Sequence, residues 1–161
     1  AVEFFKKALT IDVGVFGENH PKVAINYNNL GFVWDALGEH QKAIGFYNKA
    51  LAIDVGVFGE NHPKVAVCYY NLGTVRQAQG EYQKAIEFYN KALAINRKIF
   101  GENHPAVAKN YNNIGIAWQA QGEHQKALGF FNKALTIFMY FFGPDHPDTK
   151  LVTKNLQSVN E

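Results

Sequence analysis

The pentapeptide Gly-Glu-Asn-His-Pro stands at 17–21, at 59–63 and at 101–105, and returns as Gly-Pro-Asp-His-Pro at 143–147, always 42 residues further on. Gly38-Glu39, Gly80-Glu81 and Gly122-Glu123 keep the same period. Residues 17–58 and 59–100 are identical at 29 of 42 positions, and 59–100 and 101–142 at 25. A period of this length belongs to units that cannot bury an apolar face alone and do so by stacking on one another. Three complete units are expected at 17–58, 59–100 and 101–142, with an incomplete one at 1–16 and a terminal segment at 143–161, all forming one array.

Within a unit the pattern is helical. Val23, Tyr27, Leu30, Gly31 and Trp34 recur at spacings of three and four, which places them on one face of an α-helix. Pro21 suits the first helical position, Asn19 or His20 can cap, and Gly38 ends the helix. A second helix is expected from about Gln41 to Phe58, with Ala43, Phe46, Tyr47, Ala50, Leu51 and Ile53 inward and Gly59 as its stop. No segment alternates as a strand does, so the chain is read as all-α. It begins on a second helix (1–16) and ends on a first helix (147–159). The first of these lacks a partner helix over Phe4, Phe5 and Leu9, which predicts further repeats upstream or an intermolecular contact in their place. In the last, Thr153 stands where Tyr27, Tyr69 and Tyr111 stood, and Gln157 replaces the helix glycine; such a polar helix is what a solenoid needs to stop growing.

Composition excludes several classes. A formal charge of +2 without a Lys/Arg cluster argues against a nucleic-acid or membrane-surface partner. The single Cys68 excludes a disulfide framework and a multi-cysteine zinc site, and suits a reducing compartment. The longest apolar run, 137–142, is far short of the roughly 20 residues of a membrane span. No signal peptide is evident and the first residue is Ala; the reading is a cytoplasmic domain from a longer chain.

Catalytic patterns are missing as well. His20, His62, His104 and His146 precede Pro in equivalent turns, so capping or turn packing is expected of them rather than convergence on a metal. His40 and His124 take the place of Tyr82 and are expected to be half-buried at a helix start. No metalloprotease, phosphate-loop or nucleophile-elbow motif occurs, and paired carboxylates are lacking. Cys68 replaces Asn26 and Asn110 with no neighbour to stabilise a thiolate. No enzyme activity, cofactor or metal is expected.

The inward residues resemble the tetratricopeptide-repeat signature: Tyr27, Leu30-Gly31, Trp34, Ala43, Tyr47 and Ala50; then Tyr69, Leu72-Gly73, Arg76, Ala85, Tyr89 and Ala92; then Tyr111, Ile114-Gly115, Trp118, Ala127, Phe131 and Ala134. The longer unit, with its Tyr-x-Asn-Leu-Gly and Gly-x-x-His-Pro elements, is similar to the repeats of kinesin light chains and related prokaryotic proteins. Arg76 departs from the second aromatic. The resemblance implies a right-handed superhelical solenoid of antiparallel helix pairs whose concave wall, built from the first helices, binds a protein or peptide.

On that wall the residue before Leu-Gly is Asn29, Asn71, Asn113 and, in the last helix, Asn155. An asparagine carries both a donor and an acceptor, the two groups of a peptide backbone. The resemblance implies backbone contacts for this ladder; hydrogen bonding to a neighbouring helix is the alternative. Selectivity is expected from positions that vary between units: Ile25, Val67, Lys109 and Leu151; Asn28, Tyr70, Asn112 and Lys154; Phe32, Thr74 and Ile116; Asp35, Gln77 and Gln119. This mixed wall lacks the basic set with which some tetratricopeptide domains clamp the carboxylate tail of heat-shock chaperones, so a peptide with apolar anchors is expected. A structural, self-associating array is the alternative function. It would use the uncovered Phe4 and Phe5 and the residues Phe138, Met139 and Tyr140, which form an apolar patch if exposed and otherwise pack under the last helix.

Overall fold

A computed structural model describes residues 1–159, and among them eight helices and no strand. They are α1 (Val2–Phe16), α2 (Pro21–Ala36), α3 (His40–Phe58), α4 (Pro63–Ala78), α5 (Tyr82–Phe100), α6 (Pro105–Ala120), α7 (His124–Phe142) and α8 (Pro147–Val159). The structure is an all-α solenoid: α2/α3, α4/α5 and α6/α7 are the tightly packed hairpins, α1 lies against α2, and α8 against α7.

Each first helix starts in the same way. His20, His62, His104 and His146 accept, through Nδ1, the backbone N–H two residues on, at 3.1–3.2 Å. Pro follows at the first helical position, where no N–H is lost. The same imidazoles stack on the phenylalanine that ends the preceding helix: Phe16, Phe58, Phe100 and Phe142, with ring centroids 4.1–4.6 Å apart. The repeated His-Pro therefore caps one helix and ties it to the last. Between them Gly59 adopts φ +79°, a backbone region open to glycine and strained for other residues. His40 is half-buried, its ring 2.8 Å from an Asp35 carboxylate oxygen, whereas His124, expected to match it, is exposed. Position 35 explains the difference: its equivalent before His124 is the neutral Gln119, which is hydrogen-bonded to Ser158 instead.

The core runs the length of the array. Val23, Leu30, Val65, Leu72, Val107 and Ile114 from first helices meet Ala43, Tyr47, Ala85, Tyr89, Ala127 and Phe131 from second helices, all buried. Arg76, standing where Trp34 and Trp118 stand, is half-buried and donates to Glu81 at 2.8 Å and to Gln79 at 3.3 Å. The two tryptophans instead lie beneath lysines, Lys42 at 4.4 Å and Lys126 at 4.2 Å from the ring centroid. An ion pair thus does in the middle unit what a cation over a ring does in its neighbours.

Of the two places expected for Phe138, the structure shows the one under the last helix, which corrects its candidacy for self-association. Phe138 is 2% exposed, packed in the core with Ile137 and Val152 beneath α8, and so is no surface residue for self-association. Met139 and Tyr140 are exposed. At the opposite end Phe4 is exposed while Phe5 is half-buried.

Candidate functional site

Successive first helices approach one another, α2 with α4 and α6 with α8, more closely than successive second helices do. The array therefore curves toward its first helices, which form the inner wall. Side-chain hydrogen bonds cross that wall at the repeat spacing. Asn71 Nδ2 donates to Asn28 Oδ1 at 2.8 Å, Asn113 Nδ2 to the Tyr70 hydroxyl at 2.9 Å, and Asn155 Nδ2 to Asn112 Oδ1 at 2.9 Å. In each case the asparagine of one unit holds a residue of the unit before. Asn29 belongs to α2, the first of these helices among the described residues. All four are half-buried.

The ladder is thus first an inter-helix tie. Its hydrogen-bonding capacity is not used up, because each amide has two donors and an acceptor. Asn112 is a correction to the expected open wall: it is 6% exposed, accepting from Asn155 and donating to Asn113 at 3.3 Å. Burial pushes the Tyr70 phenol up from its ordinary range, opposed by the bond from Asn113. Thr74 donates to the Tyr70 carbonyl, and the Tyr89 hydroxyl donates to Gln77 at 3.3 Å, so Thr74 and Gln77 are half-buried participants in the hairpin. Ile116 packs partly against the core, and Gln119 donates to Ser158 at 3.1 Å. Phe32 and Lys109 are exposed.

Two grooves open between neighbouring first helices. One, of about 230 Å³, lies between α2 and α4 with Ala24, Ile25, Pro63 and Val67 as walls and Asn28 and Lys64 beside them. The other, of about 290 Å³, lies one unit along, between α4 and α6, with Ala66, Val67, Tyr70 and Phe100 as walls and Lys109 beside them. Further on, Lys109 and Leu151 border a polar recess with Tyr70, Asn112, Asn113 and Asp148. Of the expected variable positions, 25, 67, 109 and 151 line these openings, as do Asn28, Tyr70 and Asn112.

The floor of each groove is a buried polar pair that the sequence reading left aside. Asp12, Asp54 and Asn96 of the second helices lie at one repeat position, and Asn26, Cys68 and Asn110 of the following first helices at another, 14 residues later. Asn26 Nδ2 donates to Asp12 at 2.6 Å, and the Cys68 thiol to Asp54 Oδ2 at 3.7 Å. Asp54 and Asn96 are buried, as are Cys68 and Asn110. Burial pushes the Asp54 carboxyl above the usual carboxylate range, with Lys64 and the Cys68 bond acting in the opposite direction. The same burial, with Asp54 beside it, pushes the Cys68 thiol up to about 12. In the last unit the pair is Phe138 and Val152, both in the core. The missed signal was polar residues recurring on inward faces 14 residues apart. Among the described residues no group of three or more His, Cys, Asp or Glu is placed to hold a metal ion.

The tetratricopeptide-repeat family model matches residues 1–54, 36–98 and 70–139. The chain belongs to the tetratricopeptide-repeat family. Among solved structures this tetratricopeptide array is similar to BtubC (BKLC) from P. vanneervenii, at 25% identity and a TM-score of 0.86, over 98% of this chain and 63% of that one. It is also similar to a putative kinesin light chain of Podosopora anserina with nearly identical TPR-like repeats (23%, TM-score 0.79, 98% of this chain and 75% of that one). The N-terminal domain of stress-induced protein-1 from C. elegans is similar at 20% identity and a TM-score of 0.65, over 88% of this chain and 97% of that one. No curated protein sequence matches significantly. The chain spans under two thirds of the length of BtubC. Its family membership makes it a protein-interaction repeat array, and no described helix is long and apolar enough to cross a membrane.

Proposed function

We propose that the concave wall of first helices binds a peptide segment of a partner protein, and that the chain performs no reaction of its own. The observation that carries this reading is the pair of adjacent apolar grooves, about 230 and 290 Å³, set one repeat apart on either side of Val67. Apolar anchors of an extended or helical peptide would enter the grooves, and the unused amide groups of Asn71 and Asn113 would meet its backbone. Affinity built from such contacts is weak, on the order of micromolar. The test is a selection of random peptides on the intact chain, followed by binding to the Asn71→Ala/Asn113→Ala variant. Loss of binding with unchanged helicity supports the groove; equal binding refutes it.

A second reading is favoured by one observation. Met139, Tyr140, Phe141 and Phe142 are all exposed at the end of α7, with Tyr140 82% accessible. An exposed run of this kind suits self-association. Light scattering at high concentration tests it: a strict monomer defeats it, and a dimer abolished by Met139→Lys/Tyr140→Lys supports it.

A further inference from the structure

The three polar pairs along the array, the first part-buried and the other two buried, are not equally satisfied. At the first, Asp12 has an amide donor, Asn26, 2.6 Å away. At the second, the donor is replaced by Cys68, whose thiol lies 3.7 Å from Asp54 Oδ2, and Asp54 Oδ1 has no hydrogen-bond partner within the chain. Asp54 is 5% exposed and lines the α2/α4 groove. A buried carboxylate oxygen without a donor is costly, and the cost is removed by whatever brings a donor to it. Lys64 at the same groove lies over the Phe58 ring, its ammonium 4.8 Å from the centroid. The groove therefore has apolar walls (Ala24, Ile25, Val67) and, in its lining, the Asp54 carboxyl, one oxygen of which is buried without a donor.

Walls and floor together match an amphipathic cation: an aliphatic stem against Ile25 and Val67, and a charged donor on Asp54. The neighbouring groove supplies the contrast. Its floor is the neutral pair Asn96 and Asn110, and Asn110, 1% exposed, also has an oxygen without a donor there. That site asks for an uncharged donor. We propose that the α2/α4 groove is a recognition pocket for a lysine or arginine side chain of the bound peptide, with Asp54 as the residue that reads its charge. The inference rests on the peptide-binding reading of the concave wall and adds to it the charge of one anchor.

The probes are n-butylammonium and n-butylguanidinium, the isolated side-chain ends, with 1-butanol as the uncharged control, titrated into the intact chain and followed by amide shifts at Ile25, Asn28, Val67 and Cys68. The expected result is saturable binding of the cations and at least about tenfold weaker binding of the alcohol, the discrimination of a charge-assisted hydrogen bond. Two substitutions close the argument. Asp54→Asn removes the charge, and Cys68→Asn leaves the charge but supplies the amide donor that Asp12 already has; position 96 and positions 26 and 110 show that the fold accommodates both. Each should weaken cation binding by about tenfold or more and leave the alcohol unaffected. Alcohol binding equal to that of the cations, or cation binding that survives both substitutions, overturns the proposal. In the random-peptide selection, peptides dependent on Asn71 and Asn113 yet showing no basic position that Asp54→Asn erases would leave the groove reading standing and sink this one.

Discussion

The ring of Tyr89 lies across Gly73 so closely that a Cβ there would stand 2.7 Å from two ring carbons. Tyr47 on Gly31 and Phe131 on Gly115 repeat the arrangement. This contact sets how near the two helices of a hairpin come, and hence the width of the wall that the first helices present. The glycine is a packing residue here, in mid-helix, where its conformational freedom would otherwise be a disadvantage.

The same substitution should therefore have opposite signs at two helical glycines. Gly73→Ala drives a methyl into the buried Tyr89 ring and should cost about 1–3 kcal/mol, as overpacking does. Gly45→Ala, in α3 with open space around it, should gain about 0.5–1 kcal/mol from helix propensity. Urea denaturation of the two variants decides it, and destabilisation of both by the same amount would discard the close-approach argument.

Asp54 makes stability depend on pH. Burial raises its folded carboxyl pKa above the unfolded value, so between those two values the folded chain holds its proton more firmly than the unfolded chain does. Stability is therefore lost as pH rises through that window, and the penalty is complete above it. Asp54→Asn should be more stable than the parent at pH 7, by about 1 kcal/mol, the scale of an unsatisfied buried group. The gain should shrink as pH falls through that window and be smallest below the unfolded carboxyl's ordinary value of about 3.9, where the parent carboxyl is protonated in both states. Denaturation at about pH 3 and at pH 7 checks this, and an equal difference at both rejects it.

The thiol of Cys68 should be silent in the native state. It is buried, and its pKa of about 12 leaves almost no thiolate at pH 8. Reaction with a disulfide reagent should wait for opening of the array and become immediate in denaturing urea. Rapid native labelling would show that the α2/α4 groove admits reagent to its floor.

The architecture was legible because the residues that build it repeat. Pro21, Pro63, Pro105 and Pro147 begin the first helices and Gly17, Gly59, Gly101 and Gly143 follow the second, so periodicity alone located the helices. The wall was legible in its positions but not in its bonding. Asn71 and Asn113 stood out by recurrence, whereas their partners, Asn28 and Tyr70, differ between units and lie 43 residues away. The groove floor was overlooked because each pair joins two units, so Cys68 looked isolated until the fold brought Asp54 beside it. Phe138 was left open between surface and core for a related reason: its exposure depended on Val152, the apolar partner that α8 lays against it.

The histidine caps offer a last test, because each imidazole does two things at once. His104 accepts the Ala106 N–H at 3.1 Å and stacks on Phe100 with centroids 4.3 Å apart. His104→Asn keeps an acceptor of the right reach for the cap and loses the ring; His104→Ala loses both. Capping is worth about 0.5–2 kcal/mol and an aromatic pair about 0.5–1.5 kcal/mol. The asparagine variant should therefore fall between parent and alanine variant in a thermal or urea melt. Because the stack joins α5 to α6 across a unit boundary, both variants should also increase amide hydrogen exchange at the start of α6. Equal stability of the asparagine variant and the parent would reduce the histidine to a cap and deny the stack any part in holding successive units together.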